Sequence, residues 1–189
     1  MDVFYAIDAF LKALPPHAAP EAQGAAENAV VKAGIIPFIR RPATSIYVMR
    51  PRGVHPELGS PPFQLAKGTR MTQVMCEWVD MEKGDIADAC AEPLPATALR
   101  EGIEELGLVL DNIKEWWDMG THTFASASTG KPKWLRLFAA EMHEPENFLP
   151  MEQVAPTTAE RRWMRVEEFM RDGRADQRGM VAALEKLAD

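Results

Sequence analysis

The sequence has few cysteines, no excess of basic residues and no long apolar run. Cys76 and Cys90 are its only cysteines, and they lack both the CxxC spacing and the histidine partners of a zinc site, so we expect two reduced thiols. No apolar stretch approaches the about 20 residues that span a bilayer. The N-terminus carries Asp2 and Asp8 where a signal peptide has basic residues. We therefore expect a cytoplasmic protein without a membrane partner.

Negative charge is concentrated in one part of the chain. The 189 residues include 28 acidic and 21 basic side chains, a formal net charge of −7. The segment from Glu77 to Glu105 contains nine acids and two bases and thus carries the whole excess. Nonspecific nucleic-acid binding needs a basic face, so we expect no nucleic-acid partner. With 47% hydrophobic residues, the chain can bury a substantial core in one domain.

Apolar periodicity divides the chain into two parts. Apolar residues recur at helical spacing from Phe4 to Leu14, which predicts an amphipathic helix over residues 2–14. A stretch rich in proline and alanine follows and is typical of a linker. We therefore separate an N-terminal segment, residues 1–29, from a domain, residues 30–189.

The domain alternates strand-like runs with two helical segments, which predicts an α/β or α+β sandwich. A central helix ends near Gly107, and an amphipathic helix is predicted over residues 176–187. Strands are predicted over Val30–Arg40, Ser45–Arg50, Met71–Val79, Ile113–Phe124 and Trp134–Glu141.

Three carboxylates occupy one face of the predicted central helix. Glu101, Glu104 and Glu105 lie at positions i, i+3 and i+4, opposite an apolar face that begins at Leu99. Like charges at this spacing destabilise a helix, and a divalent cation reverses that effect. Carboxylates suit Mg²⁺ or Mn²⁺ better than zinc, and Arg100 is placed to reach Glu104. The alternative is a solvated acidic face without a ligand.

This segment resembles the Nudix box, G-x5-E-x7-R-E-U-x-E-E-x-G-U, in which U is aliphatic. A chance match of six fixed identities is expected on the order of 10⁻⁵ times in a chain of this length and average composition. Two positions depart from the box: Ile86 replaces its first glycine, and Gly102 replaces its first aliphatic residue. The matching residues are Glu92, Arg100, Glu101, Glu104, Glu105, Leu106, Gly107 and Leu108.

The resemblance extends over residues 30–187. Residues 64–68, QLAKG, are similar to the family's L-P-K-G strand end, and the longer segment 69–85 suggests an inserted hairpin. Residues 159–169 are similar to the closing strand and helix entry of many members. The resemblance implies an α/β/α sandwich with a mixed central sheet, a box helix and a C-terminal helix.

The resemblance also implies hydrolysis of a nucleoside diphosphate linked to another moiety, with Mg²⁺ or Mn²⁺ as cofactor. The Gly68 carbonyl would join the metal ligands Glu101, Glu104 and Glu105, while Glu92 and Arg100 would form a supporting ion pair. A general base must lie within hydrogen-bond reach of the attacking water. The candidates are Glu105, Glu152 and Glu160.

Basic residues cluster between positions 40 and 70, a stretch that contains six basic residues and one acid, Glu57. Arginine forks suit phosphate oxygens, so we predict substrate binding by Arg50, Arg52, Lys67 and Arg70. Aromatic side chains can stack on a base but more often belong to a core. This alternative applies to Trp116, Trp117 and Phe124, and we expect His122 to be structural.

Several functional alternatives remain at this stage. The small-molecule substrate can be ADP-ribose, a nucleotide sugar or a dinucleoside polyphosphate. A catalytically weak nucleotide-binding or regulatory protein is the second hypothesis, and its usual mark is loss of box carboxylates, all of which remain here. A structural protein with an acidic helix is the third. The apolar N-terminal helix and the tryptophans also suit a homodimer.

Overall fold

The computed structural model describes residues 3–18, 30, 32–53, 59–71, 92–125 and 132–187. Most of the predicted strand Met71–Val79, both cysteines and Ile86 lie outside these residues. The helices are α1 (Val3–Ala13), α2 (Leu94–Leu106), α3 (Val166–Asp172) and α4 (Arg178–Ala182). The strands are β1 (His17–Ala18), β2 (Lys32–Ile39), β3 (Ser45–Pro51), β4 (Ala66–Thr69), β5 (Ile113–Ala125), β6 (Pro132–Met142) and β7 (Thr158–Arg165).

The described strands form a mixed seven-stranded sheet in the order β1-β5-β6-β2-β3-β7, with β4 paired to β2. Strand β2 lies at its centre and runs parallel to β6. Its first half pairs with β4, from Lys32–Thr69 to Ile35–Ala66. Its last two residues pair with β3. Because β2 pairs with two strands on the same side, β4 is held beside the start of β2.

Helices cover both faces of the sheet. We call the face under α1 and α2 the box face; its core includes Ile35, Met49 and Phe138. We call the face under α3 and α4 the C-terminal face; its core includes Ile36 and Val48. Alternate residues of each strand supply the two cores because successive side chains point to opposite faces. This arrangement confirms the predicted sandwich.

The N-terminal segment packs on the box face. Ile7 of α1 is buried, and the Phe10 ring lies 5.9 Å from that of Trp116. The Trp116 indole N–H donates to the carbonyl of Leu14 at 2.8 Å, and β1 pairs in parallel with β5. Helix α1 therefore shares its core with α2, while the division into residues 1–29 and 30–189 stays a prediction.

The prediction of one continuous helix over residues 176–187 is wrong, because the segment is helical but divided into a short α-helix and 3₁₀ turns. A 3₁₀ turn precedes α4, and another, Ala183–Leu187, follows it. The Gln177 side chain accepts a hydrogen bond from the N–H of Leu65 at 2.8 Å, and Arg178 donates to the carbonyl of Gly173 at 3.2 Å. These tertiary contacts hold the segment against the sheet in short pieces. No helix in the described ranges is long and apolar enough to span a membrane.

Candidate active site

Helix α2 brings the box residues to the sheet. Pro95 stands in its first turn, and Gly107 ends it at φ 70°, a left-handed conformation that glycine adopts without strain. Gly102 faces β2 so closely that a β-carbon there would lie 2.8 Å from Cγ2 of Ile35. This contact explains why glycine replaces the aliphatic residue of the box, and the helix thereby lies tight against β2.

A buried ion pair joins the segment just before α2 to the middle of the helix. The Arg100 guanidinium donates to both carboxylate oxygens of Glu92, at 2.9 and 3.2 Å, and the two side chains are 4% and 0% exposed. The same carboxylate accepts from the Thr97 hydroxyl at 2.9 Å and from the N–H of Met71 at 3.2 Å. Burial alone would lower the pKa of Arg100, but Glu92 raises it overall. Glu92 therefore ties three chain segments together.

The remaining donors of Arg100 reach the catalytic candidates. Its Nη1 donates to Glu101 at 2.7 Å and to Glu104 at 3.1 Å, and its Nη2 donates to the carbonyl of Thr69 at 3.0 Å. One guanidinium thus contacts Glu92, two box carboxylates and the end of β4. Such a fork orients side chains as well as compensating their charge.

Strand β4 supplies the other wall of the site. A β-carbon on Gly68 would lie 1.9 Å from Oε1 of Glu101 and 2.3 Å from its Oε2, so this carboxylate rests directly on the glycine. The N–H of Lys67 donates to Oε2 of Glu105 at 3.0 Å. The structure therefore brings Glu101 and Glu105 against the Lys67–Gly68 strand end.

Burial and mutual repulsion weaken the acidity of these carboxyl groups. Burial raises the pKa of Glu105 to about 7, against the backbone donor of Lys67, and the charges of Glu101 and Glu104 add to the rise. Burial likewise raises the pKa of Glu101, although Arg100 opposes the shift. Neighbouring carboxylates that disfavour each other's ionisation favour a cation between them.

The donor set suits a hard divalent cation. It consists of carboxylate oxygens beside a glycine whose missing side chain leaves room for Glu101. Among the described residues, no group of three histidine, cysteine, aspartate or glutamate side chains is arranged to hold a metal ion as the side chains stand. Arg100 holds the carboxylates of Glu101 and Glu104, and the Glu104 side chain is 48% exposed. Rotation of Glu104 away from Arg100 would let it meet an ion beside Glu101.

The three general-base candidates lie in different places. Glu105 contacts the strand end, as described above. Glu152 is exposed on the 3₁₀ turn Met151–Gln153, in a loop bound to α2 by the Ala155 N–H, which donates to the Glu104 carbonyl at 2.6 Å. Glu160 pairs with Arg50 at 3.5 Å. Its register in β7 puts Glu160 on the C-terminal face, away from the box carboxylates.

The four predicted cationic contacts are likewise separated. Arg70 donates to the Glu92 carbonyl at 2.5 Å, and Arg52 donates to the Pro156 carbonyl at 2.6 Å. Both guanidinium groups therefore bind backbone in this structure. Arg50 stacks 4.3 Å from the Phe63 ring centroid on the C-terminal face. Burial lowers the pKa of Lys67, and the nearby Arg174 lowers it further.

Aromatic and histidine side chains are mainly structural. Trp116 is fully buried in the box-face core, while Trp117 and Phe124 pack against the core of the C-terminal face. The His122 Nε2 lies 3.3 Å from the Met119 carbonyl, and burial lowers the pKa of its imidazole. The core interpretation of these residues therefore agrees with their positions.

Sequence reasoning missed two supporting residues. Thr97 binds the buried Glu92, and Arg161 donates to the carbonyls of Leu106 and Leu149 beside the end of α2. Thr97 follows Glu92 by only five residues, so the local spacing at the start of the helix could have indicated this contact. Arg161 comes from a strand 55 residues beyond Leu106, and no local pattern links the two.

The sequence matches no protein-family model and no curated protein. Solved structures do resemble it. An Ap4A hydrolase of C. elegans in a binary complex superposes with a TM-score of 0.57 at 15% identity, covering 84% of this chain and 98% of the other. A NUDIX hydrolase from Nitrosomonas europaea gives 0.52 at 14% identity, covering 84% and 88%.

A third similar structure covers more of this chain. The NUDIX domain of Shewanella oneidensis NrtR, crystallised with ADP ribose, has a TM-score of 0.57 at 15% identity and covers 96% of this chain and 99% of the other. Identities this low establish the fold and no more. Together with the mixed sheet, the box helix and the helical C-terminus, they show that this chain has the fold of the Nudix superfamily.

Proposed function

We propose that the protein is a Mg²⁺-dependent hydrolase that cleaves the pyrophosphate bond of a nucleoside diphosphate linked to another moiety. The observation that carries the proposal is the contact of the Glu101 carboxylate with Gly68, beside Glu105 held by the Lys67 N–H. On a solvated acidic face, these carboxylates would extend into water and would not contact the end of β4.

Glu101, Glu104, Glu105 and the Gly68 carbonyl would hold Mg²⁺, or Mn²⁺ in its place. A bound divalent ion neutralises phosphate charge and acidifies the attacking water. Arg100 would orient Glu101 and Glu104, since it donates to both. Glu92 would keep Arg100 in place through its buried fork.

The reaction needs a base for the proton of the attacking water. The water oxygen bonds to one phosphorus, the bond from that phosphorus to the bridging oxygen breaks, and the departing phosphate keeps that oxygen. The proton passes to a carboxylate within hydrogen-bond reach. Glu105 and Glu152 are the favoured candidates because Glu160 belongs to the other face of the sheet and pairs with Arg50.

The test is formation of the cleaved phosphate products, resolved by anion-exchange chromatography, from ADP-ribose, nucleotide sugars, diadenosine polyphosphates and nucleoside triphosphates, with Mg²⁺ and with excess chelator. We expect Mg²⁺-dependent turnover, and loss of about 100-fold or more in kcat for Glu104→Gln and for Glu105→Gln. Glu160→Gln is the matched control, expected to keep most of the activity. Turnover by Glu104→Gln and Glu105→Gln at the wild-type rate would contradict the metal-site assignment.

Nucleotide binding without turnover is the second candidate function. One support is that 96% of this chain superposes, at 15% identity, on a NUDIX domain that was crystallised with ADP ribose. The other is that two box carboxylates, Glu101 and Glu104, already bind Arg100. Retained nucleotide binding in calorimetry, with no product from any member of the panel, would support this candidate over hydrolysis.

The remaining partner predictions stay predictions. A chain of Shewanella oneidensis NrtR that resembles this one was crystallised with a 27mer DNA, and the match covers 61% of that chain. The predicted absence of a nucleic-acid partner therefore needs its own test, a DNA-binding titration at defined salt concentration. The cytoplasmic location and the homodimer likewise stay predictions.

A further inference from the structure

Three cationic side chains from distant parts of the chain meet beside β4 on the C-terminal face. They are Lys32, Lys67 and Arg174, which we call the basic cluster. Lys32 and Lys67 belong to the paired strands β2 and β4. Arg174 follows α3, and its N–H donates to the Phe63 carbonyl at 2.9 Å.

The strand register places the two lysines together. Lys32 pairs with Thr69, and Gly34 pairs with Lys67, so both lysines project from the same face. The Lys32 ammonium donates to the Thr69 hydroxyl at 3.1 Å. A β-carbon on Gly34 would lie 3.0 Å from Cβ of Lys67. Glycine at position 34 thus lets Lys67 pack closely against β2.

The basic cluster contains more positive than negative charge. Arg174 donates to Asp176 at 2.7 Å and to the side-chain oxygen of Gln64 at 3.1 Å. Asp176 is the one acid of the described residues that contacts Arg174. Register and contacts thus bring the three positive charges of Lys32, Lys67 and Arg174 beside two acids, Asp176 and Glu105. An anionic ligand would compensate the remaining positive charge.

Lys67 connects this cluster to the box. Its backbone N–H donates to Glu105 at 3.0 Å, and the next residue, Gly68, supports Glu101. The Lys67 ammonium is also close enough to interact with the Glu105 carboxylate. The basic cluster and the box carboxylates lie on opposite faces, but among the described strands β4 pairs with β2 alone, so its free edge joins the two faces. A phosphate chain that begins at the box carboxylates would reach the basic cluster around this edge, past the exposed Thr69.

We propose that the basic cluster binds phosphate groups beyond the two at the box, so that the preferred substrate carries a chain of three or more phosphates. This inference rests on the proposed function and selects within it. Dinucleoside polyphosphates carry such a chain, whereas ADP-ribose and nucleotide sugars carry two phosphates joined to neutral sugars. Lysine and arginine then distinguish the substrates by their charge.

The test compares kcat/KM for diadenosine tetraphosphate and ADP-ribose in the full-length protein with Mg²⁺. We expect the wild type to prefer the tetraphosphate by at least about tenfold. Lys32→Gln and Arg174→Gln are each expected to lower kcat/KM for the tetraphosphate about tenfold, mainly through KM, and to change that for ADP-ribose little. Arg171→Gln is the matched control because Arg171 is exposed and pairs with Asp172, its neighbour in the chain.

Binding of inorganic tripolyphosphate without Mg²⁺, measured by calorimetry, separates this inference from the proposed function. Tighter binding of tripolyphosphate than of pyrophosphate, weakened by Lys32→Gln and not by Arg171→Gln, supports the basic cluster even if no substrate is hydrolysed. Hydrolysis that favours ADP-ribose, or an equal loss on both substrates in the two variants, would overturn the inference and leave the hydrolase proposal intact. Equal binding of the two inorganic anions would also overturn it.

Discussion

Gly68 and Glu101 are in direct contact: a β-carbon at position 68 would lie 1.9 Å from one carboxylate oxygen of Glu101. The two residues come from β4 and α2, which pack together on the box face. Since only glycine leaves room for this carboxylate, the identity of residue 68 and the position of Glu101 depend on each other.

Substitution of Gly68 is therefore expected to impair activity more than folding. In Gly68→Ala the Glu101 carboxylate must move by an ångström or more, and such a displacement costs about 100-fold in kcat. Gly53→Ala is the control, since its added β-carbon would meet neighbours at an ordinary 3.5 Å. Kinetics and thermal unfolding of both variants check this. A Gly68→Ala protein with wild-type kcat would contradict the placement of Glu101 in the site.

The buried pair of Glu92 and Arg100 is expected to govern stability. Arg100→Met leaves Glu92 as an uncompensated buried carboxylate, which costs about 3–5 kcal/mol in the free energy of unfolding. Urea denaturation measures this loss, and in the double variant Glu92→Gln, Arg100→Met it should be smaller than the sum of the single effects. Arg171→Met, at an exposed pair, should change stability little. Strict additivity would argue against coupling.

Gly102 is expected to resist replacement even though alanine favours helices. In an open helical position, glycine to alanine stabilises by about 1 kcal/mol, and Gly179→Ala in α4 meets no atom within 4 Å. At Gly102 the new methyl group would lie 2.8 Å from Cγ2 of Ile35 and 3.0 Å from Cδ2 of Leu108. Gly102→Ala should thus lower the melting temperature while Gly179→Ala raises it. Equal stabilisation of both variants would refute the close approach of α2 to β2.

His122 is expected to make stability depend on pH. Burial lowers the pKa of its imidazole below the ordinary value of 6.5, so the folded state favours the neutral ring. The contribution of His122 to the free energy of unfolding should then decrease as the pH falls below 6.5 and level off below the folded-state pKa. The raised pKa of Glu105 contributes with the opposite sign in the same range, so urea denaturation between pH 8 and pH 5.5 is compared for the wild type and His122→Gln. The variant should lose less stability, or gain more, than the wild type as the pH falls, and identical pH dependence of the two proteins would contradict the prediction.

The local parts of the site follow from the sequence because helix geometry sets their spacing. Glu101, Glu104 and Glu105 share a face for that reason, and Arg100 reaches Glu104 one turn away. The ends of α2 are equally local, since Pro95 and Gly107 act on their own backbone. The family resemblance added Glu92 as the ion-pair partner, which the spacing alone did not require.

Long-range placement had to come from the folded chain. The basic run between residues 40 and 70 suggested one substrate-binding group, yet Arg52 and Arg70 bind backbone carbonyls while Arg50 faces the other side of the sheet. A one-residue step along a strand reverses the face of a side chain, so charge counts along the sequence cannot assign these residues to one surface.

The sequence alone determined the box helix, its carboxylate face and the class of fold, because these depend on periodic spacing within short segments. Tertiary structure decided which residues meet that face. Pairing of β2 with β4 set Gly68 against Glu101 and brought Lys32 beside Lys67. Contacts with Phe63 and Gln64 placed Arg174. The physical reason is that each strand must bury apolar side chains in both cores, and this requirement fixes its register and the face of each residue. Residues more than one hundred positions apart are thereby brought into contact.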